Sequence, residues 1–302
     1  MFGEDTLLLR KKSTRVPCAL RTGRVNSFLL YHPRNNQPEK TERNDEMTQY
    51  SNEFQGFFAD FFDMLHEGCE DAENYVSLLG AYGNRILELG SGTGRIAIPL
   101  AKAGFRVTGI ECEPDMIALM EKKEYPRDRV RIIRTDARNF SLGEEFDVIL
   151  LSCNFLNHFT DAADAVSILA CCKAHLAPGG TVIIDSSVPD TARMVRTDGE
   201  EEVLTFPSET GGEIKDFFRP TYDFLNQVET DAIRLEEWKD GVLLREAATE
   251  ERLTWYYPRE IRSLIREAGL KVVRESSALV SAESGSPITS DSEEMIFLCT
   301  HA

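Results

Sequence analysis

Ile86-Leu87-Glu88-Leu89-Gly90-Ser91-Gly92-Thr93-Gly94-Arg95 is the stretch on which the reading of this chain turns. A short apolar run enters three glycines at alternate positions and leaves into a helical pattern. That is the mark of a buried strand, a tight turn and a helix start. Glycine lets the backbone turn sharply and lets a ligand rest on it with no Cβ in between. In open α/β sheets ligands bind beyond the carboxyl ends of strands, so this loop marks a nucleoside site. The dinucleotide fingerprint is G-x-G-x-x-G, whereas the spacing here is G-x-G-x-G. Arg95 stands where that fingerprint would carry its third glycine, and Glu88 precedes the first. A carboxylate so close disfavours a pyrophosphate and suits an ammonium or a sulfonium.

Outward from this loop the chain alternates. Residues 85–89, 106–110, 130–134, 146–151 and 181–185 read as strands. Residues 96–103, 114–122 and 161–176 read as helices, the last stopped by Pro178-Gly179-Gly180. Such alternation predicts a parallel sheet with helices on both faces. Upstream, Phe54, Phe57, Phe58, Phe61, Phe62 and Leu65 recur at helical spacing within 48–80, and a second helix covers about 71–79. Past residue 186 the alternation breaks. Residues 213–219, 225–238 and 242–256 read as long antiparallel strands, with Asp240-Gly241 as a hairpin turn. A helix over 258–268 and strands at 270–274 and 295–300 return to the α/β pattern. The chain thus divides into a loosely ordered basic leader (1–46), a helical lid (47–80), an α/β core (81–186), an antiparallel insert covering the substrate (187–257) and a return to the sheet (258–302).

The 302 residues carry 34 Lys and Arg against 51 Asp and Glu, a formal charge of -17. That balance argues against a nucleic-acid backbone or an anionic membrane surface as partner. The leader is the exception, with nine Lys and Arg against six Asp and Glu. No apolar run approaches the roughly 20 residues of a membrane span. Seven cysteines without regular spacing, and no secretory signal, place the chain in the cytoplasm with reduced thiols.

The glycine stretch resembles the first motif of the class I S-adenosylmethionine-dependent methyltransferases, E/D-x-G-x-G-x-G, which Glu88 to Gly94 match completely. Glu111 ends the second strand, where an acid accepts from the ribose hydroxyls. The run Gly109 to Ile117 resembles the family's second motif, with Met116 against the adenine. Thr135-Asp136-Ala137-Arg138 resembles its adenine-binding acid, Asp136 accepting from the exocyclic amine. The resemblance spans roughly residues 85–185. It implies a Rossmann-like sheet of seven strands with the last antiparallel. S-adenosylmethionine would be the donor, S-adenosylhomocysteine the product, and Tyr50, Glu88, Gly90, Gly92, Glu111, Met116, Asp136, Ala137 and Ser152 the donor site. The lid and insert resemble a subset acting on small molecules, the sugar and glycine N-methyltransferases.

Methyl transfer from a sulfonium is an in-line displacement, so the protein mainly positions two reactants and excludes water. A base is needed only where the acceptor carries a proton. His158, past the fourth strand in Ser152 to His158, is the first candidate, since its ordinary pKa lies near operating pH. Tyr222 is a second catalytic candidate, and Tyr256 a further pocket residue. Ser152 stands where a metal-dependent relative would want a carboxylate, so no metal is expected. The acceptor is a small metabolite, at N, O or C. Two other readings stay open: use of the donor's aminopropyl arm with release of methylthioadenosine, and a non-catalytic S-adenosylmethionine-binding regulator. The long strands of the insert leave an edge that a homodimer would cover.

Overall fold

The computed structural model describes residues 54–66 and 71–302. The basic leader and Tyr50 lie outside the described residues. In chain order the elements are α1 (Phe57–His66), α2 (Asp71–Leu79), β1 (Arg85–Leu89), α3 (Ala97–Lys102), β2 (Arg106–Glu111), α4 (Pro114–Glu121), β3 (Val130–Arg134) and β4 (Phe146–Leu151). There follow a 3-10 turn (Phe155–His158), α5 (Ala162–Ala174), β5 (Leu176–Ser187), α6 (Thr191–Thr197), β6 (Glu202–Pro207), β7 (Glu213–Asp223), β8 (Val228–Lys239), β9 (Val242–Thr254), α7 (Pro258–Glu267), β10 (Leu270–Ser276) and β11 (Glu294–His301).

Seven strands form one sheet in the order β10-β11-β5-β4-β1-β2-β3. β1 pairs in parallel with β2 and with β4, and β4 in parallel with β5. Only β11 runs against its neighbours, β5 and β10. Side chains alternate across a strand, so each strand feeds two layers. Leu87, Ile149, Leu151 and Ile184 face α5 and α7, whose Ile168, Leu169, Ile261 and Ile265 complete that layer. Ile86, Val148, Leu150 and Ile183 face α2 and α3, which contribute Tyr75, Leu79, Leu100 and Ala101. The expected doubly covered sheet is therefore present, and its central strands are apolar on both faces for that reason.

A second, antiparallel sheet has the order β6-β7-β8-β9. Its four strands correct the three expected. β6 and α6 were missed in the segment after residue 186. β6 is an edge strand ending at Pro207, and its side chains are only exposed or half-buried, so its alternation carries little contrast. The β8–β9 hairpin turns at Asp240 and Gly241, both with positive φ (49° and 76°), as a two-residue hairpin loop requires. β5 also starts earlier than expected. Phe146 pairs with Leu176 and Val148 with Thr181, so Pro178-Gly179-Gly180 bulges out of a continuing strand.

The phenylalanine stripe has two jobs. Phe58, Phe61 and Leu65 of α1 pack on Ile214, Ile233 and Leu235 of the insert. Phe54 and Phe62, on the other side, line a cavity. The insert and the first helix thus form a cover over the carboxyl ends of the parallel strands. Among the described residues, no helix is long and apolar enough to cross a membrane.

Candidate active site

A cavity of about 1160 Å3 opens at the carboxyl ends of β1, β2, β4 and β5, walled on one side by Phe62 and His66 of α1 and by residues 187–193. The glycine loop forms its floor. Gly90 and Ser91 donate their N–H groups to the Ile110 carbonyl (2.9 and 3.0 Å), which ties the turn to β2. Gly90 has φ 70°, and a Cβ there would stand 2.6 Å from the Phe155 ring. Only glycine satisfies both the left-handed backbone and that close approach.

Glu111, at the end of β2, is held by three backbone N–H groups. Gly92 donates to Oε2 (2.7 Å), and Cys112 and Glu113 both donate to Oε1 (2.8 Å each). Its side chain therefore has one orientation, and a carboxylate can accept about four hydrogen bonds, so capacity remains. Burial raises its pKa, with those N–H donors opposing the rise. Glu88, on β1 below the loop, is 1% exposed. Burial pushes its pKa up to about 8, against contacts with Ser91 and Arg95 that lower it.

The end of β4 is strained. Cys153 and Asn154 both take left-handed backbone (φ 58° and 61°), which non-glycine residues seldom do outside functional turns. Two bonds to β5 hold the turn there. Asn154 Oδ1 accepts from Ser187 N (2.5 Å), and Asp185 Oδ2 accepts from Cys153 N (3.1 Å). Tyr75 of α2 donates its hydroxyl to the same Asp185 oxygen. The 3-10 turn that follows delivers His158 to the cavity wall. His158 Nδ1 stands 3.1 Å from Oε1 of Glu251, a residue of β9 that is 2% exposed.

Of the residues expected to form the site, Glu88, Gly90, Gly92, Glu111, Met116, Ala137, Ser152 and His158 all line this one cavity. Others do not. Asp136 is not among the lining residues, and the Arg138 guanidinium engages its two oxygens (2.7 Å at the closest), while its neighbours Thr135 and Ala137 reach the wall. Tyr222 lies outside the cavity, against Trp255 and Phe224. Burial raises its pKa strongly, and Glu229 and Thr197 engage its hydroxyl. Tyr256 donates to the Phe159 carbonyl (3.0 Å) and packs in the core. Among the polar wall residues that escaped the sequence reading are Tyr75, Arg95 and Asp185. Asp185 had a signal, an acid at the end of a parallel strand. Tyr75 had none, being one polar atom in an apolar helix face.

The wall fits a sulfonium-bearing nucleoside. Glu88 Oε2 and Thr93 Oγ1 are buried with no hydrogen-bond partner among the described residues, and both residues border the cavity. Buried polar atoms in folded proteins are seldom left so, which marks them for a ligand. A Cβ at Gly92 would stand 3.3 Å from the Met116 methyl, so the loop is bare where a flat ring could rest.

Residues 86–180 match the family model described as a methyltransferase domain. The ubiquinone biosynthesis O-methyltransferase of Actinobacillus pleuropneumoniae is 31% identical over 169 residues, covering 53% of this chain and 70% of that protein. The cypemycin N-terminal methyltransferase of a Streptomyces species is 29% identical over 219 residues, covering 71% of this chain and 82% of its own. Among solved structures, the CcbJ methyltransferase of Streptomyces caelestis superposes with a TM-score of 0.65 at 21% identity, over 77% of this chain and 90% of that one, a likeness of fold.

Proposed function

The chain belongs to the class I S-adenosylmethionine-dependent methyltransferases, and from that premise we propose that its acceptor is an amine nitrogen of a small metabolite. The charge of the cavity carries this reading. Eight Asp and Glu side chains line it against two guanidiniums, those of Arg95 and Arg193, and with Glu88 protonated the acids still outnumber them. A wall so acidic favours cations, and an amine arrives as one at neutral pH. Support also comes from the Streptomyces relative, named for methylating an N-terminus.

When bound, the donor supplies a methyl group on a positively charged sulfur, ready for in-line displacement. The chain's own residues then hold two reactants in line. The bare backbone at Gly90 and Gly92, with Met116, Ala137 and Ser152, receives the nucleoside. Glu111, locked by its three N–H donors, accepts from the sugar hydroxyls. Glu88 sets a carboxyl near the cationic end. The acceptor lies toward His158 and Asp185, under the Phe54 and Phe62 rings, where the cover keeps water out. His158 takes the proton that the nitrogen must lose before its lone pair forms the new N–C bond and the C–S bond breaks. His158 is the catalytic residue of this reading, and Tyr222 has no part in it.

We further place the enzyme in the cytoplasm as a homodimer. The described cysteines 112, 153, 171, 172 and 299 are free thiols, which fits a reducing compartment. β9 is a 13-residue edge strand on which a second copy can pair. No nucleic acid is assigned as partner, because the cavity is acidic.

Purified protein incubated with S-adenosylmethionine and a panel of glycine, an amino sugar nucleotide, a short peptide and their hydroxyl counterparts tests the acceptor. Mass spectrometry should find methyl groups on nitrogen. Methylation of the hydroxyl compounds alone would overturn the amine assignment and leave the family intact.

A further inference from the structure

The insert reaches the chemistry where β9 meets the turn after β4. His158 sits on the 3-10 turn after β4, and Glu251 sits on β9, nearly a hundred residues later. The Nδ1 and Oε1 atoms are 3.1 Å apart, with the imidazole 22% exposed toward the cavity and the carboxylate 2% exposed beneath it. We propose that Glu251 is the positioning residue for His158. Its negative charge holds the ring proton on Nδ1 and so favours the tautomer in which Nε2 keeps its lone pair. It also carries the charge balance when Nε2 accepts the proton leaving the acceptor nitrogen. This rests on the reading of His158 as proton acceptor.

The surroundings make the pairing directional. An imidazole with a carboxylate on one nitrogen is oriented and made more basic at the other. Glu251 stands opposite Asp231 across the β8–β9 ladder, and Asp231 is 0% exposed. Two carboxylates facing each other away from water resist both being charged. Two places along β8 from Asp231, Glu229 has its pKa raised by burial and lowered by the Tyr222 hydroxyl and Arg193. The His158 ring, 3.1 Å away, is a cation beside Glu251 once protonated. From β5 the charged group at this end is Asp185, already engaged by Tyr75 and the Cys153 N–H. From the cover, Phe54 presents only a ring, 5.8 Å from the imidazole. The charge on His158 therefore answers to the insert. An insert strand that supplies this carboxylate is part of the reacting machinery as well as a roof.

The test needs no acceptor. Full-length protein labelled with 15N in its histidines is titrated by NMR as wild type and as Glu251→Gln, with His158→Ala identifying the resonance. The expected wild-type ring is protonated at Nδ1 in its neutral form. Glu251→Gln should lower the His158 midpoint by about one pH unit and mix the tautomers. Equal midpoints and tautomers in the two proteins would overturn the proposal. Circular dichroism melting confirms that the near-isosteric variant is folded. With an amine that turns over, Glu251→Gln should lower kcat about tenfold or more and leave KM within about twofold. Its acid limb should move to lower pH, and Glu251→Gln should cost nothing further in a His158→Ala background. Unchanged kcat in Glu251→Gln would sink the positioning role. Unchanged kcat in His158→Ala would sink the base itself, with the NMR result still deciding the pairing.

Discussion

Glu88 and His158 hold opposite ends of the proton inventory. Glu88 is a buried acid whose pKa is pushed up to about 8 by desolvation. Its folded-state pKa is raised from an ordinary 4.5, so the stability linked to its proton is complete below that value and is lost as pH rises through 8. Glu88→Gln should therefore be more stable than wild type well above pH 8, by at most about 5 kcal/mol, and melt at a higher temperature there. The same variant should bind S-adenosylmethionine more weakly, because the carboxylate facing the cation is gone. Calorimetry of binding in buffers of different ionisation enthalpy should show proton release at pH 7 in wild type and none in the variant. For His158, loss of a general base usually costs 100-fold or more. His158→Ala should lose about that in kcat at neutral pH, and recover part of it at high pH, where the free amine needs no base. A stopped assay of S-adenosylhomocysteine across pH measures both.

The turn after β4 shows how an element converts strain into placement. Cys153 and Asn154 accept left-handed backbone because bonds from β5 hold them. Asn tolerates that conformation better than Ala does. Asn154→Ala loses the tolerance and the bond to Ser187 together, for about 1–3 kcal/mol. The turn should then relax and carry His158 from Glu251, so kcat falls while donor affinity, set by β1 and β2, stays. Tryptophan or tyrosine fluorescence titration with S-adenosylmethionine separates the two. This turn was visible in the chain only as Ser152 to His158 past a strand. Its backbone strain was not, because no residue type there demands positive φ. The glycine loop differs: Gly90 must be glycine, and the sequence says so.

Across the molecule, one arginine ties the cover together. Arg245 of β9 donates to Glu237 (2.6 Å) and to Asp60 of α1 (2.9 Å), and its guanidinium lies 3.7 Å over the Phe57 ring. Glu237 is 2% exposed, so without Arg245 it keeps the Ser208 and Thr210 hydroxyls but loses the charge opposite it. Arg245→Ala should speed hydrogen exchange in α1 and raise KM for the acceptor, with the core strands unaffected. Exchange as slow as wild type in residues 57–66 would show that the apolar contacts of α1 suffice. Such long-range joints pair residues 185 apart in the chain, a distance over which no periodicity carries information.

What was legible in the chain alone follows from local physics. Apolar runs of strand length, alternate glycines and helix stops dictate a parallel sheet, because each is settled by neighbours in sequence. The motif order then gathers most of the expected site residues on one cavity, since loops at strand ends share one rim of the sheet. Side-chain direction was beyond that reach. Asp136 carries the expected acid, yet a guanidinium two residues on claims both its oxygens. Tyr222 looks like a pocket residue and is spent on Glu229 and Thr197. β6 gave too little contrast between its faces to be seen. Only the folded chain brings β9 to the end of β4 and sets Glu251 against His158, because that contact depends on how two sheets pack and on no pattern within either.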